Sequence, residues 1–568
     1  MSETQHDHFP DLTENRAERY DWLNEEARTF LRNGYLLDGV TAEERLREIA
    51  ENAEDILGID GFADKFYEYA SNGYYSLASP VWSNFGLDRG MPISCFGSYI
   101  EDSILSILDT QAEVGIMTKH GGGTSGYLGN LRPRGAPIAN NGTSNGSYSF
   151  TELYDTIIDV ISQGETRRGQ FAGYIDVEHP DLDEWLNIRT EGDNIQDMYY
   201  GVIIGDEWFQ SMLDGDDEKR DTWAEIIETR INIGVPYIIF RDNMNEGKPQ
   251  VYKDKDYEIN ASNLCTEIAL PATADESFVC CLSSMNALYY DQWKETDAVE
   301  TLTYFLDAVM EEFITDAKDA EGSKHLERAI RFAERHRAVG IGVLGWHSYL
   351  QSEMIPFDSM EAMNKNAELF STIQERSYEA SEELAERFGE PEVLEGYGRR
   401  NTTTMAVAPT KSSSIIHGQV SPSVEPLKSN FFTRDGAKNK ITQRNRFLEA
   451  LLKQKGEDTR ETWDSIMARD GSVQHLECLT DHEKEVFKTA NETSQMSIIK
   501  QAAQRQDYID QAQSINVFID PSEVSLKAMN QLYIEAWENG VKSLYYQHSV
   551  NAAQQFSQDV VECKACEG

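Results

Sequence analysis

Short β-rich runs alternate with helical runs from Ser79-Pro80 almost to the C-terminus, and no Pro/Ser-rich linker interrupts them. β-branched and aromatic residues over 198–204, 237–240, 402–407 and 543–546 predict strands. Helical spacing predicts helices over roughly 300–335, 360–388 and 444–470. Ser149-Phe150-Thr151-Glu152 reads as a capping box that opens another helix, with a stop at Gly164. Such alternation favours α/β architecture with much of the sheet buried. The first ninety residues read as helical: Thr41-Ala42-Glu43-Glu44 matches a capping box, and Leu46, Ile49, Ala53 and Ile56 keep helical spacing up to Gly58. A chain of 568 residues, 40% hydrophobic, has room for about three or four ordinary domains or one unusually large one.

Asn263-Leu264-Cys265-Thr266-Glu267 gathers an amide, a thiol and a carboxylate within five residues. In an extended strand or loop tip, alternate side chains share a face, so Asn263, Cys265 and Glu267 would point together. That grouping suits chemistry on a hydroxylated substrate; a buried free thiol in a polar strand is the competing reading. The other cysteines are Cys95, Cys280, Cys281, Cys478, Cys563 and Cys566. An odd count, wide scatter and no signal peptide or long apolar span point to a reducing cytoplasm. Cys563-Lys564-Ala565-Cys566 fits a mobile dithiol arm that works by exchange, with half of a shared zinc site as the alternative.

The formal charge of −47 disfavours non-specific binding to nucleic acid or an anionic membrane, so an anionic ligand must be met by local groups. Candidates are His120 to Gly126, which is glycine-rich, and Pro409-Thr410-Lys411-Ser412-Ser413-Ser414, a cation beside three serine hydroxyls. Neither is a Walker A loop. Gln163 to Gly169 adds two arginines in an acidic protein. HExxH is missing, and the pattern predicts no catalytic metal.

Taken in order, Ser94-Cys95, Asn263 to Glu267, Cys280 before Leu282-Ser283, Pro409 to Ser413, Tyr545-Tyr546-Gln547 and the terminal cysteine pair form a series. The series resembles the large (catalytic, alpha) subunit of class I ribonucleotide reductases. The resemblance implies a helical region over 1–78, a ten-stranded α/β barrel with a central finger loop over 79–550, and a flexible redox tail over 551–568. It implies that Cys265 carries a thiyl radical, that Glu267 takes the 3′-hydroxyl proton and Asn263 holds that hydroxyl, and that Cys95 and Cys280 are the reducing pair. Cys563 and Cys566 would restore that pair, and Tyr545 and Tyr546 would relay the radical. Substrate would meet Ser79, Ser94, Gly123, Thr410, Lys411, Ser412 and Ser413. A deoxynucleotide or ATP effector with Mg would meet Asp102, Ser103, Ile104, Arg132, Gln163 and Arg167 at a homodimer interface.

The same resemblance implies a small (beta) subunit whose metal centre supplies the radical, thioredoxin or glutaredoxin as reductant, and no permanently bound cofactor. The short N-terminus implies no ATP-binding regulatory domain. Two other readings stand beside it: an adenosylcobalamin-dependent reductase, and a non-catalytic nucleotide-binding regulatory paralogue.

Overall fold

Parallel pairing of successive strands builds the first half of a barrel. In the computed structural model, which describes residues 19–163, 167–435, 440–522 and 524–549, an outlying β1 (Tyr75–Leu77) is followed by β2 (Cys95–Tyr99), β3 (Gly123–Tyr127), β4 (Phe171–Asp176), β5 (Tyr199–Ile204) and β6 (Tyr237–Phe240). From β2 to β6 each strand pairs in parallel with the next. They are buried throughout except at two terminal positions, as expected of parallel strands covered on both faces.

The second half begins with β7 (Phe278–Asn286), paired in parallel with β8 (Val339–Leu344). Beyond β8 the ladder continues through two irregular staves. Ile341 N–H donates to Thr404 O at 2.7 Å, and the 403–407 segment in turn meets 511–514 through Val407 N–H to Ala512 O at 3.1 Å and Ser514 N–H to Val407 O at 2.9 Å. Tyr545 N–H then donates to Ile515 O at 2.8 Å, which brings in β9 (Ser543–Leu544).

Two antiparallel seams close the ring: β2 with β7, where Cys95 faces Cys280, and β6 with β9. Five strands in each half make the ten-stranded α/β barrel. β1 adds to β7 from outside the ring.

Helices before the barrel follow the sequence closely. Thr41 and Glu44 make both bonds of the capping box on Ala42–Leu57, and Gly58 ends that helix at φ 60°. Leu46, Ile49 and Ala53 are buried, and this helix packs on Ala298–Asp319. Elsewhere tertiary contacts override local motifs. The second capping box does not form: the helix runs Gly146–Val160, because Asp181 accepts from Ser147 N–H at 2.7 Å and fixes the start four residues earlier. The stop proposed at Gly164 lies outside the described residues. The 300–335 run divides into Ala298–Asp319 and Glu327–His336 around Gly322, and the 444–470 run into Arg446–Lys455 and Arg460–Met467 after Gly456.

Candidate active site

Between β6 and β7 the chain enters the barrel as a finger, and both halves of the wall hold it. Tyr174 of β4 donates to Asn263 O. From the other half, Ala512 N–H donates to Glu267 O at 2.9 Å and Ser543 Oγ donates to Thr266 O at 2.9 Å. Ser514 Oγ lies 2.5 Å from Cys265 O and 3.0 Å from Glu267 Oε2. The tip is a turn, with Thr266 at φ 70° and Asn263 Oδ1 accepting from Ile268 N–H at 3.2 Å. Asn263, Cys265 and Glu267 therefore converge through a turn and not through strand alternation.

They converge on a shared cavity that all three line. Ser94, Cys95 and Gly123 line one side, Thr410 and Ser413 another. The strand seam sets the thiol geometry. Cys95 and Cys280 are directly opposed residues of an antiparallel pair, whose side chains share a face at a separation a disulfide can span. Both are thiols. Cys95 Sγ is 3.4 Å from Asn263 Nδ2 and 3.9 Å from Glu267 Oε1. Cys280 is fully buried behind it, where Gln511 Nε2 donates to its sulfur at 3.4 Å. Cys281 turns the other way, its Sγ 3.2 Å from Leu306 O in the outer helix.

Burial raises the Glu267 carboxyl to about 7, against the opposing pull of hydrogen bonds from its own backbone, Asn263, Ser514 and Cys95. A carboxyl poised there exchanges protons readily near neutral pH. Burial also pushes the Cys280 thiol well above its ordinary value, with the neighbouring Cys281 adding to the shift. It is held as a thiol, a carrier of hydrogen and not a standing anion.

Three substrate candidates stand off the cavity. Ser79 lies one residue beyond Ala78, which does line it, and Ser412 is buried outside the lining. Lys411 points its Nζ to within 5.9 Å of the Tyr546 ring centre. Sequence reading missed Ser76 and Ser283, whose buried hydroxyls line the cavity with no partner among the described residues. The available signal was Ser283-Ser284 set within an otherwise apolar strand, two residues past Cys281. The run from His120 to Gly126 is largely β3 and not an anion loop. A side chain at Gly122 would strike Phe96, and Gly123 lets the finger's Leu264 approach the wall.

Tyr545 and Tyr546 face each other with ring centres 4.2 Å apart and planes at 53°. Adjacent strand residues normally point to opposite faces, but the ladder of β9 ends at Leu544 and frees the rings to fold together. Ser514 and Ile515, neighbours in sequence, bond to Cys265 and Tyr545 respectively, so the pair abuts the finger. Asp102, Ser103, Ile104 and Arg132 gather at the start of helix Ile104–Lys119, where Arg132 Nε is 2.7 Å from Asp102 Oδ2. Gln163 and Arg167 oppose each other in a short antiparallel ladder. Cys563 and Cys566 lie outside the described residues, as does the whole stretch after Ser549. No group of metal-binding side chains occurs among the described residues.

Residues 93–219, 218–393 and 391–547 match the family model described as ribonucleotide reductase, barrel domain. The alpha subunit of the Actinobacillus ureae class Id ribonucleotide reductase superposes with a TM-score of 0.89 at 60% identity, covering 94% of this chain and 99% of that one. The chain is 36% identical over 538 residues to a Frog virus 3 ribonucleoside-diphosphate reductase large-subunit relative, covering 89% and 92% of the two chains. It is 32% identical over 631 aligned residues to the ribonucleoside-diphosphate reductase large subunit of Invertebrate iridescent virus 3, covering 95% and 97%. With the barrel, the finger and the paired thiols in place, these matches show that the chain belongs to the ribonucleotide reductase family, as a class I large subunit.

Proposed function

We propose that the cavity reduces ribonucleoside diphosphates to 2′-deoxyribonucleoside diphosphates by a thiyl radical on Cys265. That radical takes the hydrogen atom from the ribose 3′ carbon while Glu267 accepts the 3′-hydroxyl proton and Asn263 holds the same hydroxyl. Loss of the 2′-hydroxyl as water consumes two electrons and two protons, which Cys95 and Cys280 supply as they become a disulfide. Cys265 then returns its hydrogen to the 3′ carbon and Glu267 returns the proton to the 3′ oxygen. The observation that carries this reading is convergence: a thiol, an amide and a carboxyl raised to about 7 meet a second thiol on one cavity wall, with a third directly behind it.

Ser94, Gly123, Thr410 and Ser413 contact the substrate in this reading, and Ser76 and Ser283 join them as hydroxyl partners. Tyr545 and Tyr546 bring the radical from the metal centre of a small subunit, and their contact beside the finger favours this over delivery by adenosylcobalamin. Cys563 and Cys566 reduce the spent disulfide before thioredoxin or glutaredoxin restores them. The protein works in the cytoplasm as a homodimer. In support, Ile104, Leu105, Leu108, Leu153 and Val160 are exposed on the packed helices Ile104–Lys119 and Gly146–Val160. A patch of that kind marks an interaction surface. A deoxynucleotide or ATP effector with Mg binds beside it, near Asp102, Ser103, Ile104 and Arg132, with Gln163 and Arg167 on the loop that reads it.

The test is turnover of each ribonucleoside diphosphate with and without a small subunit, scoring deoxynucleotide. Cys265→Ser should bind nucleotide and yield no product. Unchanged reduction by that variant, or turnover that needs only added adenosylcobalamin, overturns the reading.

A further inference from the structure

The β6–β9 seam carries an aromatic group larger than the relay pair. Ser543 pairs with Ile239 and Leu544 with Ile238; continuing the register by one residue sets Tyr545 opposite Tyr237. The Tyr237 ring centre lies 4.9 Å from that of Tyr545 and 5.3 Å from that of Tyr546. Tyr237 thus touches both rings at the spacing of directly packed aromatic pairs. The hydroxyl oxygens of Tyr237, Tyr545 and Tyr546 are all shut away from solvent.

A buried phenol cannot lose an electron and keep its proton cheaply, and no bulk water is at hand to take that proton. An exchange that moves both together between neighbouring phenols avoids the separated charge. Tyr199 also joins the group, with its ring 5.7 Å from Tyr546 and 6.1 Å from Tyr237. The Arg189 guanidinium, however, stacks 4.3 Å above the Tyr199 ring and disfavours an electron-poor ring there.

We infer that Tyr237 is a third redox-active tyrosine, sharing the unpaired electron with Tyr545 and Tyr546. The step is a hydrogen-atom exchange: the O–H bond of Tyr237 breaks and an O–H bond forms on the tyrosyl radical at position 546 or 545. One electron and one proton cross together, and no outside oxidant is needed beyond the radical already delivered. The inference rests on the relay proposed above. Its consequence is a side branch in which the radical waits without reaching Cys265.

The experiment uses the full-length chain with its small subunit, a ribonucleoside diphosphate and a deoxynucleotide effector. 3-Aminotyrosine, whose radical is the more stable, replaces Tyr237, Tyr545 or Tyr546 in separate proteins read by electron paramagnetic resonance. An aminotyrosyl signal at position 237 that needs the small subunit is the expected result. It should be accompanied by a loss of turnover of at least about tenfold, against no more than about threefold for Tyr237→Phe, which keeps the ring but cannot hold the radical. A signal at 545 or 546 but none at 237 overturns the inference and leaves the relay intact. Equal losses from the analogue and from Phe, with no radical at 237, assign Tyr237 to packing. No signal at any of the three positions removes the relay and this inference with it.

Discussion

Cys95 and Cys280 occupy directly opposed positions on the antiparallel seam between β2 and β7, one beside the cavity and the other buried behind it. Opposed residues of such a pair bring two sulfurs together with little backbone movement. With Cys563 and Cys566 replaced by serine, so that no tail dithiol can exchange, a single turnover without external reductant should therefore leave one new disulfide. Alkylation followed by peptide mass spectrometry should place it between Cys95 and Cys280, with Cys281 alkylated only after unfolding.

Glu267 sets a pH limb. As the proposed base it must be ionised, so with its carboxyl raised to about 7 turnover should fall as pH drops through that value. The folded form binds the proton more tightly than the unfolded chain, so between the ordinary carboxyl value and about 7 the group's contribution to stability falls as pH rises. Glu267→Gln should lower turnover by about 10²–10⁴-fold and remove the acid limb of the pH–rate profile.

Ser514 ties the finger to the wall through the Cys265 carbonyl and the Glu267 carboxylate. Ser514→Ala should cost about 1–3 kcal/mol of stability by leaving a buried acceptor unpaired. Thermal unfolding reads the stability, and a drop in kcat larger than any change in KM would report a finger held out of place.

Gly123 lies where the finger meets the wall. A Cβ there would sit 3.2 Å from Leu264 Cδ2 and 3.3 Å from Ser94 O. Gly123→Ala should destabilise the protein by about 1–3 kcal/mol and raise KM for the nucleotide, because the finger or the Ser94 segment must yield. Calorimetry and steady-state kinetics check both.

Leu105 is 71% exposed at the start of the helix proposed to form the dimer face. Leu105→Glu should shift sedimentation toward the monomer and weaken the response to effector, while monomer folding stays intact because the residue is not part of the core.

The parts legible in the sequence are those decided by neighbours in the chain. The Thr41–Glu44 cap forms because all its partners lie within four residues. Cys95, Cys265 and Cys280 were recognisable as an ordered set, although no local property of Cys95 announces that Cys280 will face it. The misread helix start at Ser149 depended on Asp181, more than thirty residues away. The polar stave Gln511-Ala512-Gln513-Ser514-Ile515 was invisible as a strand. Its amides satisfy carbonyls inside the barrel, such as Gln511 Nε2 to Val339 O at 3.1 Å, instead of packing an apolar face. Lys411 looked like a phosphate ligand from composition alone; its direction toward Tyr546 is set by the left-handed turn at Thr410, φ 50°, which a residue list does not encode.

The two places where the barrel's strands reverse direction are also the two places where its oxidisable side chains collect, dithiol at one and phenols at the other. The finger stands between them, with Asn263 reaching Cys95 on one side and Ser543 of β9 holding Thr266 on the other. In the mechanism proposed above, reducing equivalents and the oxidising hole would therefore approach the same sugar from separate sides of a closed wall, with Cys265 on the finger as their meeting point.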